Sequence, residues 1–332
     1  MKWLITGGCG FLGSNFIRYW LRHHPNDVIV NYDKLTYAGN LENLRDVEQN
    51  PRYQFVHGDI ADKNLIEQWV SAVDGVVNFA AETHVDRSIQ NPEVFIQTDV
   101  IGTYNILEIC RRTGKRLIQI STDEVYGTCD AGSFSETASL SPGNPYSASK
   151  AGGDLLCMSY QKTYGMNLNI IRSCNGYGPF QYPEKLIPLF ITHLLEKKKL
   201  PLYGDGSQVR QWIFAEDFCS ALEIIIQKGA SGEIYNITTG ESCTNLEMTR
   251  RLLDLMGFEE DWIESVVDRP GHDKRYSMTG DKLQSLGWKP VYTLDKGLPY
   301  TVRWYREHPD WWKILKSGEY LEYYRRQYIE RN

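Results

Sequence analysis

Short apolar runs alternate with amphipathic stretches through the first half of the chain. Helical periodicity recurs between these runs and predicts helices at residues 11–22, 41–47, 92–112 and 146–164, with a further helix after residue 59. The runs themselves have the length and β-branched content of buried strands, and they lie at residues 2–7, 27–33, 53–59, 74–81, 115–122 and 167–173. Strands that alternate with helices predict a parallel sheet covered on both faces.

The alternation ends near residue 174, where prolines and glycine turns begin to punctuate the chain. Residues 232–240 ("GEIYNITTG") still read as a strand, which we expect to return to the main sheet. The tail, rich in Trp and Tyr, is predicted to form helices that pack in a second unit. No internal repeat or low-complexity linker separates the halves, so the second unit should be interleaved with the first.

These patterns predict an α/β fold, with a doubly wound parallel sheet of the Rossmann type and a smaller, interleaved domain of mixed α/β structure. The predicted first domain comprises residues 1–173 and about 213–239. The predicted second domain comprises about 174–212 and 240–332. A chain of 332 residues is long enough to bury both cores without disulfides or metals.

The net charge and the cysteine content exclude some classes of function for this chain. The net charge of −6 provides no basic surface, so nucleic acid is not expected as a partner. Seven cysteines, an odd number with no C-x-x-C pair, predict reduced thiols and no zinc or other metal site. The start is too short in apolar residues for a signal peptide and no run could span a membrane, so we expect a cytoplasmic protein.

A glycine-rich loop, "TGGCGFLG", connects the first predicted strand to the first helix. Gly7, Gly10 and Gly13 permit a tight turn and a close approach of backbone to a pyrophosphate at the helix N-terminus. Asp33 ends the second strand twenty residues after Gly13, where an acid binds the adenosine ribose hydroxyls of a dinucleotide.

Two neighbouring residues refine the cofactor prediction. A carboxylate at Asp33 repels a 2′-phosphate and favours NAD over NADP, although the cation of Lys34 could tolerate that phosphate. Asp59, after the third strand, is placed to meet the adenine. The alternative is that Asp33 only caps the following loop, and glycine-rich turns do occur without ligands.

"YSASK" places Tyr146 and Lys150 four residues apart on one face of a helix. A free phenol has a pKa of about 10 and is a poor base at neutral pH. A nearby ammonium should lower that pKa and make proton abstraction from a sugar hydroxyl feasible. The pair follows both the glycine loop and a strand that ends in Ser121 and Thr122, which favours catalysis over an ordinary amphipathic helix.

Eight motifs in order resemble the extended short-chain dehydrogenase/reductases, and within them the nucleotide-sugar 4,6-dehydratases. The resemblance covers nearly the whole length, and its motifs are "GGCGFLG", "DKLTYAGNLENL", "AAETHVDRSI", "STDEVYG", "PYSASKA", "GYGPFQYPEKLIP", "LPLYGDG" and "DRPGHDKRY". It implies a tightly bound NAD that is regenerated in each turnover, a nucleotide-hexose substrate with dTDP-glucose favoured, and a homodimer formed through two helices per subunit.

The resemblance also implies a role for each catalytic residue. Tyr146 takes the proton of the sugar 4-hydroxyl while hydride leaves carbon 4, and Thr122 binds the 4-oxygen. Glu124 removes the proton of carbon 5, Asp123 protonates the departing 6-hydroxyl, and hydride returns to carbon 6. Lys150 holds the nicotinamide ribose. Asp123 must therefore be protonated and Glu124 ionised, which requires different environments for adjacent acids.

Two sets of binding residues complete the predicted site. The residues predicted to bind the cofactor are Gly7, Gly10, Phe11, Leu12, Gly13, Asp33, Lys34, Thr36, Gly39, Asp59, Ile60, Ala80, Ala81, Thr98, Tyr146 and Lys150. The residues that the resemblance assigns to the nucleotide sugar are Thr83, His84, Asn175, Lys185, Leu186, Pro201, Tyr203, Arg210, Asn245, Arg269 and His272. A forked guanidinium such as that of Arg210 suits a diphosphate.

Some positions depart from the usual pattern of the family. Cys174 and Gly176 stand where a Ser and an Asn are common, and Gly152 and Gly153 follow the catalytic lysine where polar residues are usual. The loop at 128–133 is short. These changes leave the catalytic residues intact but leave the nucleotide base and the sugar 2-substituent open, so UDP-glucose and UDP-N-acetylglucosamine are alternative substrates.

Two alternative functions remain. A 4-epimerase or decarboxylase of the same fold would use Tyr146 and Lys150 but would leave Asp123 and Glu124 unexplained. A non-catalytic protein that senses a dinucleotide would need none of these four residues together.

Overall fold

The computed structural model describes residues 1–330 of the chain. Within these residues the chain forms twelve strands: β1 (Lys2–Thr6), β2 (Val28–Asp33), β3 (Tyr53–His57), β4 (Gly75–Asn78), β5 (Arg116–Thr122), β6 (Leu168–Ser173), β7 (Asn175–Tyr177), β8 (Leu200–Tyr203), β9 (Val209–Phe214), β10 (Ile234–Ile237), β11 (Ser242–Thr244) and β12 (Ile263–Val266).

The same residues contain thirteen α-helices: α1 (Phe11–His23), α2 (Lys63–Ser71), α3 (Val85–Gln90), α4 (Pro92–Phe95), α5 (Thr103–Thr113), α6 (Pro145–Tyr164), α7 (Leu186–Leu195), α8 (Ala215–Lys228), α9 (Asn245–Met256), α10 (Asp281–Ser285), α11 (Leu294–Glu307), α12 (Pro309–Leu315) and α13 (Glu319–Tyr324). Short 3₁₀-helices lie at Leu41–Leu44, Asp123–Tyr126 and Glu260–Trp262, and π-helical segments lie at Ile96–Gly102 and Arg325–Ile329. Among these helices none is both long and apolar enough to cross a bilayer.

Seven parallel strands form the main sheet, in the order β10-β6-β5-β4-β1-β2-β3. All seven predicted strands lie in it, and β10 returns to its edge as expected. The strand order reverses between β1 and β4, so a crevice opens at the carboxyl ends of these two strands. The glycine loop after β1, the loop after β4 and the residues that end β5 meet around that crevice.

Alternation along the strands builds a core on each face of the sheet. Trp3 and Ile5 of β1 belong to one buried cluster, which includes Phe16 and Trp20 of α1. Leu4, between them, belongs to the cluster on the other face. Successive side chains of a strand point to opposite faces, so a strand that is apolar throughout is covered on both sides.

The second half of the chain has its own apolar cluster. It includes Phe190 of α7, Trp212 of β9, Leu252 of α9, Tyr305 of α11 and Trp312 of α12. Strand β9 pairs in parallel with β7 and antiparallel with β11, while β8 pairs with β12. The aromatic tail forms α11, α12 and α13, as its composition predicts.

Two helical predictions differ from the structure. Residues 41–47 form only a 3₁₀-helix at Leu41–Leu44, because the Asn40 side chain caps Glu42 N and the Asn43 side chain donates to Cys9 O, which ties this turn to the glycine loop. The helix predicted at 92–112 is divided into α4, a π-helical segment and α5. Apolar periodicity does not reveal such a segment, which is often found at functional sites.

Candidate active site

One cavity of about 440 Å³ lies where the main sheet meets the second half of the chain. Every predicted site residue lines it except Asp123, which is buried behind its wall. The lining comes from the glycine loop, from the ends of β2, β4 and β5, from α6, and from the strands and loops of the second half. The structure therefore brings the predicted cofactor and substrate residues together in a single space.

The glycine loop has the geometry of a phosphate cradle. Gly7 has a φ of +66°, and a Cβ there would lie 2.6 Å from the backbone nitrogen of Ala80. A Cβ on Gly13 would lie 2.4 Å from Gly7 O. Gly10 precedes the first turn of α1 with no side-chain cap, so the helix N-terminus presents amides to an anion.

Asp33 is 7% exposed and ties the loops around the cradle. Its Oδ2 accepts a hydrogen bond from Cys9 N at 2.8 Å, and its Oδ1 accepts one from Leu35 N at 2.7 Å. The carboxylate thus caps the following loop and also borders the cavity, and its binding of the adenosine ribose stays a prediction. Lys34 Nζ lies 2.6 Å from Asp59 Oδ2. The ammonium is therefore already paired with a carboxylate and is not available to bind the 2′-phosphate of NADP. The residues present fit NAD.

Tyr146 and Lys150 lie on the first turns of α6. The helix begins at Pro145 with a capping box, in which the Asn144 side chain accepts from Ser147 N and Ser147 Oγ accepts from Asn144 N. The pKa of Tyr146 is not lowered in this structure, contrary to expectation. It is raised well above its ordinary value by burial and by the nearby carboxylates of Glu124 and Asp99. Lys150 Nζ donates to Ile120 O at 2.8 Å, and this bond directs the ammonium to the end of β5.

Asp123 and Glu124 open a 3₁₀-turn at the end of β5 and have different surroundings. Thr122 Oγ1 accepts from Glu124 N at 3.3 Å and donates to Asp123 Oδ1 at 3.1 Å. Asp123 is 2% exposed, its Oδ2 has no hydrogen-bond partner within residues 1–330, and burial together with the charge of Glu124 raises its pKa to about 7. Glu124 lines the cavity, and its Oε2 lies 3.2 Å from the hydroxyl of Tyr276, which donates its one proton to the nearer Asp273 Oδ2 at 2.5 Å.

Cations and aromatic rings from the second half of the chain also line the cavity. Lys185 Nζ donates to Thr83 O, and Arg210 Nη2 donates to Asp273 O at 3.0 Å. The Arg210 guanidinium lies 4.2 Å from the centre of the Tyr276 ring. With Tyr203 and Tyr328 in the lining, the cavity combines positive charge, which suits phosphate, with rings on which a base can stack.

Several lining residues are absent from the predicted site. They include Glu82, Asp86, Gln181, Glu184 and Tyr328. Glu82 is an acid whose pKa is raised to about 7 by burial and by Asp99. Tyr328 reaches the cavity from the far end of the chain, so only the fold could reveal it. The other four lie within quoted motifs, and a list of the polar positions in those motifs would have included them.

Comparison with known proteins identifies the family. A sequence profile described as GDP-mannose 4,6 dehydratase matches residues 4–301. The low-salt glycan biosynthesis protein Agl12 of Haloferax volcanii is 48% identical over 92% of this chain and 98% of its own length. The dTDP-glucose 4,6-dehydratase of Streptomyces niveus is 43% identical over 96% of this chain and 97% of its own.

A solved structure agrees with these relatives. DesIV, a dTDP-glucose 4,6-dehydratase from Streptomyces venezuelae determined with NAD bound, superimposes with a TM-score of 0.93. It is 48% identical to this chain, and the match covers 95% of this chain and all of DesIV. The resemblance found in the sequence is confirmed, and the chain belongs to the nucleotide-sugar dehydratase family described as GDP-mannose 4,6 dehydratase.

Proposed function

We propose that this protein is an NAD-dependent nucleotide-sugar 4,6-dehydratase that converts dTDP-glucose to the 4-keto-6-deoxy sugar. One observation carries the proposal. Tyr146 and Lys150, suited to oxidation of a hydroxyl, share a cavity with Glu124, and the buried acid Asp123 lies in the chain between the lining residues Thr122 and Glu124. A 4-epimerase needs the first pair but has no use for two further acids. The dTDP-glucose dehydratases among its relatives favour the same substrate here.

NAD is proposed to lie along the glycine loop, with its pyrophosphate at the N-terminus of α1 and its adenosine ribose at Asp33. The tight spacing around Gly7 and Gly13 leaves this backbone bare of side chains. When bound, NAD supplies a hydride acceptor for carbon 4, a positive charge that favours the phenolate, and a hydride donor for carbon 6. Lys150 is proposed to hold the nicotinamide ribose.

The side chains of the protein are proposed to move four protons. Tyr146 takes the proton of the 4-hydroxyl, with Thr122 bound to the same oxygen. The 4-keto group acidifies carbon 5, and Glu124 removes its proton and returns a proton to carbon 5 once carbon 6 has been reduced. Asp123 protonates the departing 6-hydroxyl, since its raised pKa keeps part of it protonated near neutrality. Its side chain must turn toward the cavity for this step, which breaks the hydrogen bond from Thr122 Oγ1 to Oδ1 but none to Oδ2, since Oδ2 has no partner within residues 1–330.

The nucleotide diphosphate is proposed to bind between Lys185, Arg210 and Arg269, with its base near Tyr203. These three cations and Tyr203 all line the cavity. The remaining residues proposed for the substrate are Thr83, His84, Asn175, Leu186, Pro201, Asn245 and His272. The diphosphate would neutralise charge that the apolar surroundings make costly to leave unpaired.

We also propose the domain division, the assembly and the location of the protein. Residues 1–173 and about 213–239 are proposed as the NAD-binding domain, and about 174–212 with 240–332 as the nucleotide-sugar domain. A homodimer is proposed because large exposed apolar side chains recur on two adjacent helical stretches: Ile96, Ile101, Tyr104, Leu155 and Met158. A cytoplasmic location is proposed because all seven cysteines are unpaired thiols.

Mass spectrometry of reaction products tests the proposed function. The purified protein, without added NAD, is incubated separately with dTDP-glucose, UDP-glucose and UDP-N-acetylglucosamine. Loss of one water from dTDP-glucose is the expected result and implies a retained cofactor. Loss of water from a UDP sugar alone would overturn the substrate but keep the reaction. An isomerised product of unchanged mass would replace the dehydratase by an epimerase.

A further inference from the structure

Asp86, in the first turn of α3, is a buried carboxylate that the proposed reaction does not use. It is 4% exposed. Its Oδ2 accepts hydrogen bonds from the hydroxyls of Tyr203 at 3.0 Å and Tyr323 at 3.1 Å. Its Oδ1 accepts one from Arg269 Nη1 at 3.4 Å. One side chain after β4 therefore contacts strand β8, the loop after β12 and helix α13.

Asp86 is ionised in this environment. Burial alone would raise its pKa, but the charge of Arg269 and the hydroxyls of Tyr203 and Tyr323 hold the pKa below its ordinary value. His84 Nδ1 lies 3.9 Å from Oδ2. An ionised carboxylate only accepts hydrogen bonds, so it fixes two hydroxyls and a guanidinium at the same time.

Two of these partners line the nucleotide end of the cavity. Arg269 and Tyr203 both contribute to its wall, and the Tyr203 ring stacks on Tyr328 with centroids 5.6 Å apart at 21°. Gln327 Nε2 also donates to the Tyr203 hydroxyl at 2.7 Å. The segment 319–329, here called the C-terminal clasp, thus packs against the same end of the cavity that holds the cations.

We propose that Asp86 is a positioning residue of the nucleotide-sugar site. It orients Arg269 and Tyr203 toward the bound nucleoside diphosphate, and its bond to Tyr323 fastens the C-terminal clasp over them. Arg87, the next residue, supports this arrangement because its guanidinium lies 4.9 Å from the centre of the Tyr323 ring. The inference rests on the proposed function, since it assigns the nucleotide to this end of the cavity.

The test uses Asp86→Asn in the complete protein, purified with the cofactor it retains. The amide has the same shape but no negative charge, and its NH₂ group cannot accept from the hydroxyls. The KM for dTDP-glucose and the Kd for dTDP, measured by calorimetry, should rise about 10- to 100-fold, with kcat within about threefold. The content of bound NAD should be unchanged. Tyr323→Phe, which removes one hydroxyl, should raise KM about three- to tenfold.

Asp217→Asn is the matched control. Asp217 is 2% exposed and accepts from Val291 N and Tyr292 N, but in the described part of the chain it lies outside the lining of the cavity. This variant should lose thermal stability and keep its KM. An equal rise of KM in the control would overturn the positioning role, because it would show a general effect of losing a buried carboxylate.

The two proposals fail in different ways. A wild-type protein that dehydrates none of the nucleotide sugars overturns the proposed function, and the Kd for dTDP then still tests Asp86. A wild-type protein that dehydrates dTDP-glucose, with KM and Kd within about twofold in Asp86→Asn and Tyr323→Phe, overturns the positioning role alone. If Asp86→Asn does not fold, Tyr323→Phe decides the question.

Discussion

Asp123 and Glu124 are adjacent in the chain, yet burial separates their chemistry. The turn after β5 buries Asp123 among protein atoms and leaves Glu124 at the cavity. Desolvation disfavours the ionised form of Asp123, and the charge of Glu124 adds to that effect. In the proposed mechanism these neighbouring residues therefore act as the acid and the base that elimination of water requires.

A pH dependence follows from this separation. The pKa of Asp123 is raised to about 7, so its protonated form, the proposed proton donor to the 6-hydroxyl, is lost as the pH rises through that value. The rate of water loss should therefore fall across neutrality. Asp123→Asn should slow water loss by about 100-fold or more and abolish that fall. Product formation, followed by rapid quench over a range of pH, measures both the rate of water loss and its pH dependence. The rate of oxidation at carbon 4 serves as the control. Persistence of the fall in the variant would refute the role of Asp123.

Glu124→Gln separates the two halves of the reaction. The variant should retain NAD and still oxidise carbon 4, because Tyr146 is untouched, but water loss should slow by about 100-fold or more without a base for carbon 5. The absorbance of reduced nicotinamide should rise on mixing with dTDP-glucose and then persist. Tyr146→Phe is the control, in which this absorbance should not rise. Dehydration by Glu124→Gln at the wild-type rate would remove Glu124 from the mechanism.

At the residue scale, local chemistry was predictable and long-range contacts were not. The acids after β2 and β5 could be identified because parallel strands deliver functional residues at their carboxyl ends. The environment of Tyr146 could not, because it depends on Asp99, which a π-helical segment brings near. Asp86 shows the same limit, since its partners lie more than a hundred residues away along the chain.

At the scale of elements, the two glycines after Lys150 allow α6 to approach the π-helical segment. A Cβ on Gly153 would lie 2.9 Å from Asp99 O, and one on Gly152 would lie 3.1 Å from a methyl group of Val100. Asp99 also accepts from Ser149 Oγ at 2.6 Å. The small residues that depart from the usual pattern of the family therefore have a packing role.

Gly153→Val should destabilise the protein by about 2 kcal/mol, because backbone must move to admit the side chain. Gly152→Ala is the matched control. Its Cβ meets only the end of a side chain, and alanine favours a helix by about 1 kcal/mol over glycine, so its stability should be equal or higher. Urea unfolding of both variants measures the difference. Equal stability of the two would contradict the close approach of α6.

Periodicity predicted the elements of the main sheet because each strand is apolar on both faces and is bounded by turn residues. It misjudged residues 41–47, where two asparagine side chains replace helical hydrogen bonds with contacts of their own. It also missed the π-helical segment, since the hydrophobic pattern of one extra residue per turn is hard to distinguish in so short a stretch.

At the scale of the whole molecule, the proposed homodimer would form through the exposed apolar stripe on α6 and the helices beside it. Leu155, 55% exposed, lies on this stripe. Leu155→Arg should convert the dimer to monomer, because a charge buried without a partner is costly. Sedimentation velocity measures the result. Ile314→Arg on α12, where Ile314 is 71% exposed and away from the stripe, should leave a dimer. A Leu155→Arg variant that remains dimeric would place the interface elsewhere.

The central claim is that one site oxidises carbon 4, eliminates water and reduces carbon 6 of the same sugar. Incubation of the purified protein with dTDP-glucose deuterated at carbon 4, without added NAD, tests it most directly. Nuclear magnetic resonance of the product should show loss of one water and deuterium at carbon 6. Two results would contradict the account. One is a sugar that has lost no water and still carries deuterium at carbon 4, and the other is a product whose deuterium has been lost to solvent.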